Sequence, residues 1–464
     1  MTLSKAVLSF KETYGQAMAV TAPLGSVVST STAAIVYAGD SVVFTTLLSL
    51  LASALWIYNL TLYSKKLASA GGFYTFNFSA WRSKKLSFLE ALTEVFAYSM
   101  LNAVNAITTY LIVSIGLSII GISLPLWVGA IVIAVSVMYP SLISLTHIKK
   151  LMSYVITVSA TAEAALLIGI FILSLHGGFH YNYVIPKDVN MGNLATAFVL
   201  TTVSISGAGA ATYLGEETKE PLKNVSRGMW LALLIGGISM FLGTYALVAL
   251  WNGSLTSLAN SPQPLLYEMM TYGPLFMLIA LVLSINSLLS SNIGTTIGAS
   301  RVLFNLARED AAPKIFLRTN KNGEPVIATI TIALITTVVT IGSVFTLGLV
   351  TAFTEVSAVT GILWLLGRLF DGIGVPVLYW RIRELSFISL MIPVAATGIN
   401  LWGDITSIIS MDLNQAIILG IILMITLVWY VKKARFGRPG RLVVNEQNEV
   451  MDVDEYLKRK VSAK

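Results

Sequence analysis

The feature that most constrains this chain is a series of twelve apolar runs, each close to the length needed to cross a bilayer. They fall near residues 13–37, 41–63, 87–116, 125–146, 150–175, 194–215, 228–251, 273–303, 325–345, 348–369, 386–402 and 414–431. About 20 helical residues cover some 30 Å of hydrocarbon. Ordinary soluble domains are about 25% charged, whereas here 11% of 464 residues are charged and 55% are hydrophobic. One water-facing core cannot hide that much apolar surface, so lipid is the solvent. The expected fold class is all-α integral membrane with about 12 transmembrane helices. Gly372, Gly374 and Pro376 blur the joint between runs 10 and 11, and place the end of run 10 near residue 369.

Charge then sets orientation. Lys and Arg gather in cytoplasmic loops, and twelve spans put both termini on one side. With the N-terminus in the cytosol, Lys65, Lys66, Arg82, Lys84, Lys85, Lys149, Lys150, Arg301, Arg308, Arg368 and the cluster Lys432 to Arg441 all fall inside. In total 29 of the 30 basic residues do so, and Lys187 alone falls outside. The net charge of +7 is therefore a topology signal, and no nucleic-acid partner is expected. The partners expected are the lipid bilayer and a small-molecule substrate, in the plasma membrane, with both termini cytoplasmic. Met1 to Val20 carries Lys5, Lys11 and Glu12 without a small-residue cleavage site, and reads as a lead into the first span. Gly440 to Lys464 is polar and mixed in charge, and is expected to be a solvated tail. With no cysteine, disulfides and thiolate metal sites are ruled out.

Two runs are poor lipid-facing helices. Run 1 contains Ala22-Pro23-Leu24-Gly25-Ser26-Val27-Val28-Ser29-Thr30-Ser31-Thr32, and run 6 contains Ser204-Ile205-Ser206-Gly207-Ala208-Gly209-Ala210-Ala211. Unpaired backbone amides in hydrocarbon cost several kcal/mol each, so such segments belong where backbone lines a cavity or packs closely. Each opens a block of five runs, 13–175 and 194–369. An odd number of spans per block inverts the second relative to the first. Interrupted helices at matching places in inverted repeats point to a transporter binding site. Half-helix ends there offer amides to a carboxylate and carbonyls to an ammonium, which suits a zwitterion. The expected organisation is a cytosolic N-terminus 1–12, the two five-helix repeats, two peripheral helices within 386–431, and a cytosolic tail 432–464.

Four short segments then carry a resemblance. They are Gly215-Glu216-Glu217-Thr218-Lys219-Glu220-Pro221, Ser300-Arg301 through Asp310 closed by Pro313, Ser69-Ala70-Gly71-Gly72-Phe73-Tyr74-Thr75-Phe76, and Ala19-Val20-Thr21-Ala22-Pro23-Leu24. In order and on the expected side, they resemble the amino acid–polyamine–organocation (APC) superfamily of permeases. That resemblance implies a five-plus-five inverted (LeuT-like) core with helices 1 and 6 unwound, alternating access, and substrate contacts from helices 1, 3, 6, 8 and 10. The expected substrate-binding residues are Pro23, Gly25, Ser26, Ser29, Thr30, Asn102, Ser206, Gly207 and Gly209. Many relatives carry Gly-Phe-Glu in the helix 6 break where this chain has Gly207, Ala208 and Gly209. The wall is roomier and uncharged, which argues against a dibasic substrate.

Glu163 lies 13 residues beyond Lys150, about 20 Å up the fifth helix at 1.5 Å per residue and near the midplane. An ionisable residue there is costly and marks a functional site. It is the expected coupling residue, and the resemblance implies a proton there or a substitute for a sodium ion. Ser290 and Ser291, with the helix 1 break, are the alternative sodium-coupling set. No cofactor and no metal site are expected. Glu90 and Glu94 are expected to pair with Lys84, Lys85 or Arg301, and Glu216 and Glu217 to latch onto basic loops. Glu355 is expected near the outer side. Tyr98, Asn102 and Asn105 share a face of helix 3, lining the path or bonding a neighbour.

A major-facilitator transporter would show two six-span halves and a long loop after helix 6, but the loop here is short. An enzyme would need clustered His, Asp or Glu at one face, and His147, His176 and His180 are scattered. A sodium-coupled carrier of another organic solute and a non-transporting sensor with the same fold remain as alternatives. The leading expectation is a secondary transporter of amino acids or related amines.

Overall fold

A computed structural model of the chain describes residues 3–186, 190–445 and 447–462, so Lys187 lies outside the described residues. The chain starts with α1 (Phe10–Thr21), the short α2 (Pro23–Ser26), a π-helical turn Val27–Ser31, and α3 (Thr32–Ala38). A tight turn at Gly39–Ser41 leads to α4 (Val42–Ser64), then α5 (Phe73–Trp81), α6 (Lys84–Ile119) and α7 (Leu126–Ile143). The single turn α8 (Ile148–Lys150) runs through a π-helical stretch into α9 (Thr157–Ser174). Next come α10 (Met191–Ile205), a 3₁₀ extension Ser206–Leu214, and α11 (Pro221–Ala232) joined by π turns to α12 (Ile238–Ala249). Two short helices, α13 (Leu255–Ala259) and α14 (Pro264–Thr271), precede α15 (Pro274–Arg308), α16 (Val326–Leu347) and α17 (Leu349–Arg381). Last are α18 (Phe387–Ser410), α19 (Leu413–Lys432) and a tail with β1 (Leu442–Val444), β2 (Val450–Asp452) and α20 (Val453–Ser462).

Each of the twelve apolar runs overlaps a helical segment, some running on into turns, as 125–146 does past Ile143. Among the described residues, ten helical stretches are long and apolar enough to cross a membrane. The first, Phe10–Ser64, has 55 residues and holds runs 1 and 2 on either side of the Gly39–Ser41 turn. Trp127–Ile143 is apolar but shorter. This is a multi-pass, all-α membrane protein.

Burial separates centre from rim. The most apolar window of Met191–Leu214 is 94% buried, against 22% for those of Val326–Leu347 and Leu413–Lys432. A helix that faces lipid keeps apolar side chains outward, as Leu334, Val338, Ile341 and Phe345 do on α16. The broken helices therefore sit in the protein interior, packed on α6, α15 and α17.

Two expectations are corrected. Run 10 does not stop near residue 369, because α17 continues to Arg381 through Gly372, Gly374 and Pro376. The glycines serve close packing: a methyl on Gly374 would strike the Tyr63 hydroxyl and lie 3.0 Å from Ala80 Cβ. The tail is docked rather than solvated. β1 and β2 pair antiparallel, and Val444 N donates to Ala68 O at 2.8 Å. Glu309, just past α15, accepts from the Gly440 and Leu442 amides at 2.8 and 2.9 Å. The helix α20 adds Asp454 to Arg82 at 2.6 Å. Mixed charge in this tail supplies specific partners.

Candidate functional site

The break in the first helix follows from one residue. Proline disfavours α backbone in the residue before it and carries no amide hydrogen. α1 ends at Ala22, which sits in the left-handed region at φ 39° and ψ 69°. Pro23 then starts α2, so the Leu24 and Gly25 amides face out of the break as a fresh helix N-terminus. Ser26 Oγ donates to Thr21 O across the gap at 2.7 Å. The π turn Val27–Ser31 follows at once, with Ser29 Oγ donating to Gly25 O at 2.6 Å. Thr30 shares a 2.7 Å hydrogen bond with Ser204 of α10.

Helix 6 loosens at the matching place. From Ser206 the chain runs nine residues as 3₁₀ helix, a geometry that seldom persists beyond three or four. The two breaks touch: a methyl on Gly207 would lie 2.7 Å from the backbone oxygen of Val20. Gly209 faces Leu60 and Phe73. Ser206 Oγ donates to Thr202 O and accepts from Trp364 Nε1 at 3.1 Å.

Glu163 of α9 is 2% exposed and reaches the first break through one serine. Ser287 of α15 donates to Glu163 Oε2 at 2.6 Å while accepting from the Gly25 amide at 2.8 Å. Ser159 Oγ donates to Oε1 at 2.8 Å, and Asn286 Nδ2 lies 3.4 Å from the same oxygen. The Leu24 amide also faces this carboxyl. A chain of hydrogen bonds thus links the broken backbone at Gly25, through Ser287, to the ionisable side chain of Glu163.

Of the expected site residues, Pro23, Gly25, Ser26, Ser29, Thr30, Ser206 and Gly207 fall in one buried zone around the two breaks, with Gly209 just beyond. Asn102 lies to one side: its Nδ2 donates to Thr296 Oγ1 at 3.2 Å, and its Oδ1 accepts from Thr295. Asn105 likewise bonds Asn292 at 2.9 Å. These two bond a neighbouring helix, while Tyr98 meets Tyr213 edge-on and Trp364 at a tilt. Ser290 and Ser291 are buried on α15, but the serine that meets Glu163 is Ser287, one turn earlier. Sequence reasoning missed Ser287, Asn286 and Ser159; the signal available was their spacing of one turn from Ser290 and from Glu163.

The other acidic residues divide. Arg301, fully buried, holds Glu217 at 2.5 Å and Glu324 at 2.9 Å, and Arg308 holds Glu216 at 2.7 Å. The latch takes its cations from the end of α15. Glu90 and Glu94 do not pair with Lys84, Lys85 or Arg301. Asn77 lies 3.5 Å from Glu90, and Tyr213 OH donates to Glu94 at 2.9 Å. Glu355 accepts from Gln415 of α19 at 2.8 Å.

Comparison with known proteins gives the class and then the family. The model of the family described as "Amino acid permease" matches residues 16–445, which contain both breaks and Glu163. The chain belongs to the amino acid permease family. It is 32% identical over 152 residues to an uncharacterized amino-acid permease of Schizosaccharomyces pombe, covering 31% of this chain and 28% of that protein. It is 27% identical over 133 residues to the low-affinity putrescine importer of Escherichia coli K12, 28% of each chain. It is 26% identical over 204 residues to the lysine-specific permease of Lactococcus lactis, 42% of this chain and 38% of that one. These matches span well under half the length of the relatives.

Proposed function

We propose that this chain moves an amino acid or related amine by alternating access, coupled to a proton on Glu163. The reading takes twelve spans, with 13–175 and 194–369 as inverted repeats, in the plasma membrane with both termini cytoplasmic. The observation that carries it is the link from Glu163 through Ser287 to the Gly25 amide at the helix 1 break. Protonating the carboxyl removes a charge that Ser287 bonds, and so alters what the break offers a substrate carboxylate. The ammonium end of the substrate would meet carbonyls freed at the two breaks. The absence of a carboxylate at Ala208 and Gly209 favours a substrate whose side chain is uncharged. The lysine and putrescine named for two relatives are the natural competitors to test.

The experiment is uptake into proteoliposomes under an imposed pH gradient. Thermal-shift screening of the twenty amino acids and common polyamines, with and without sodium, first selects the substrate. Wild type is expected to concentrate substrate when the gradient is applied, and Glu163→Gln to lose the response while still exchanging substrate down its own gradient. Gradient-driven uptake unchanged in Glu163→Gln overturns proton coupling there. A response to a sodium gradient in place of the pH gradient supports the Ser290 and Ser291 alternative.

A further inference from the structure

A second group of buried ionisable residues lies away from Glu163. Glu90 and Glu94 stand one turn apart on α6, and Arg368 and Asp371 nearly one turn apart on α17. Exposure ranges from 0% for Asp371 to 3% for Glu94. Arg368 was counted among the loop cations by sequence. Instead its guanidinium sits 5.2 Å from the ring centre of Trp56 and 5.1 Å from that of Trp364. Its Nε and Nη1 have no hydrogen-bond partner among the described residues.

Three carboxyls against one guanidinium leave two negative charges uncompensated if all ionise. Among the described residues, the groups recorded around these carboxyls from neighbouring elements are Tyr63 on α4, Asn77 on α5, Tyr98 on α6 and Tyr213 beyond α10, and none of them is a cation. Tyr63 OH is spent on the Asp371 backbone oxygen at 2.9 Å. Both carboxyl oxygens of Asp371, and Oε1 of Glu90, find no partner among the described residues. Glu94 alone has a short donor, the Tyr213 hydroxyl. A buried carboxylate without cation or donor is not held as an ion; it binds a proton. Gly367 shapes the place where the two glutamates converge. A methyl there would lie 2.8 Å from Glu90 Oε1 and 3.2 Å from Glu94 Oε1.

We propose that the Glu90–Glu94–Arg368–Asp371 cluster is a proton-binding site separate from Glu163, with Glu94 as the anion set against Arg368 and exchangeable protons on Glu90 and Asp371. The cluster grips the loosened part of helix 6 at both ends. Tyr213 bonds Glu94, and Trp364, which covers Arg368, bonds Ser206. Changing its proton content therefore moves the residues that flank Gly207 and Gly209. That consequence rests on the transporter reading; the proton content does not.

Infrared spectroscopy of the purified protein in lipid nanodiscs reads the site directly, through the protonated-carboxyl C=O band and its shift in D₂O. At neutral pH, Glu90→Gln and Asp371→Asn are each expected to remove one carboxyl equivalent of that band, and Glu163→Gln a separate one. Gly367→Ala keeps every carboxyl and is expected to shift the band frequency, which covers the case in which a charge-removing variant fails to fold. With ¹³C-labelled aspartate, part of the wild-type band should move with the label, and that moving part should shrink in Asp371→Asn. A band untouched by Glu90→Gln, Asp371→Asn and Gly367→Ala overturns the proposal, even if Glu163→Gln abolishes proton-driven uptake. A cluster band that survives alongside a failed Glu163 test would leave this site standing and the coupling assignment fallen.

Discussion

Gly207→Ala tests whether contact between the two broken helices makes the site. The added methyl would stand 2.7 Å from Val20 O, 2.8 Å from Val20 C and 2.9 Å from Thr21 N. Comfortable carbon contacts begin near 3.5 Å, so the helices must part by roughly 0.5–1 Å. All three neighbours are backbone, and no rotamer change relieves the clash. Overpacking of this kind costs about 1–3 kcal/mol. If that falls on the substrate-bound arrangement, affinity drops by about 5- to 150-fold, at 1.4 kcal/mol per factor of ten. Gly209→Ala is a graded comparison, because its methyl meets the tips of Leu60 and Phe73 at 2.8 and 3.0 Å, which can turn aside. Gly398→Ala on α18 is the control, with nothing within 4 Å of its added methyl; a helical Gly→Ala change there gains a few tenths to 1 kcal/mol. The assay is thermal unfolding in nanodiscs, with and without the stabilising amino acid, plus counterflow uptake. The expected order of loss is Gly207→Ala, then Gly209→Ala, with Gly398→Ala at or above wild type. Equal behaviour of Gly207→Ala and Gly398→Ala would refute the claim that the breaks are assembled by close approach.

Three further outcomes are expected. Ser287→Ala cuts both the Gly25 amide and Glu163 from their shared partner; leaving such buried groups unsatisfied costs about 1–3 kcal/mol each, and gradient-driven uptake should fall at least tenfold while substrate exchange persists. Arg301→Met strands Glu217 and Glu324 inside the protein, a loss of about 3–5 kcal/mol, and the triple change with Glu217→Gln and Glu324→Gln should recover much of the thermal stability. Burial pushes the Glu309 carboxyl up to about 7, although the Leu442 and Gly440 amides, Tyr74 and Arg308 all pull the other way. Its ordinary value is 4.5, so between those pH values the docked state holds more proton than the undocked one. Docking is then fully supported below about pH 4.5 and loses that contribution as pH rises through 7. The protection factor of the Leu442 amide, which removes the base-catalysed rise in intrinsic exchange, should fall over that window in wild type and show no such step in Glu309→Gln.

What the sequence made legible was what local chemistry decides. Pro23 marks a place where helix 1 is interrupted, and the glycines and hydroxyls of run 6 announce backbone that lipid would not tolerate. Glu163 stood out as an ionisable residue well inside the fifth run, and it is buried. Arg368 did not stand out. A basic residue near the end of an apolar run reads as a loop cation, and nothing nearby in sequence says that Trp56, on the second run, will cover it. The same distance hid Asp371, which nothing in the sequence singled out, and the Gly372, Gly374 and Pro376 stretch read as a joint in fact lets α17 press against Thr397 at Gly372 and against Tyr63 and Ala80 at Gly374. The docked tail was hidden by a third kind of long-range pairing, since Glu309 and the Gly440 and Leu442 amides are inert until the fold joins them. These cases share one cause. Periodicity and composition report which solvent a residue prefers, and in a membrane protein an ion that prefers water goes either to a loop or to a partner in the interior. Only the packing of remote helices decides between the two, so the ionisable residues at helix ends are where sequence reading was weakest and where the structure added a second cluster beside helix 6.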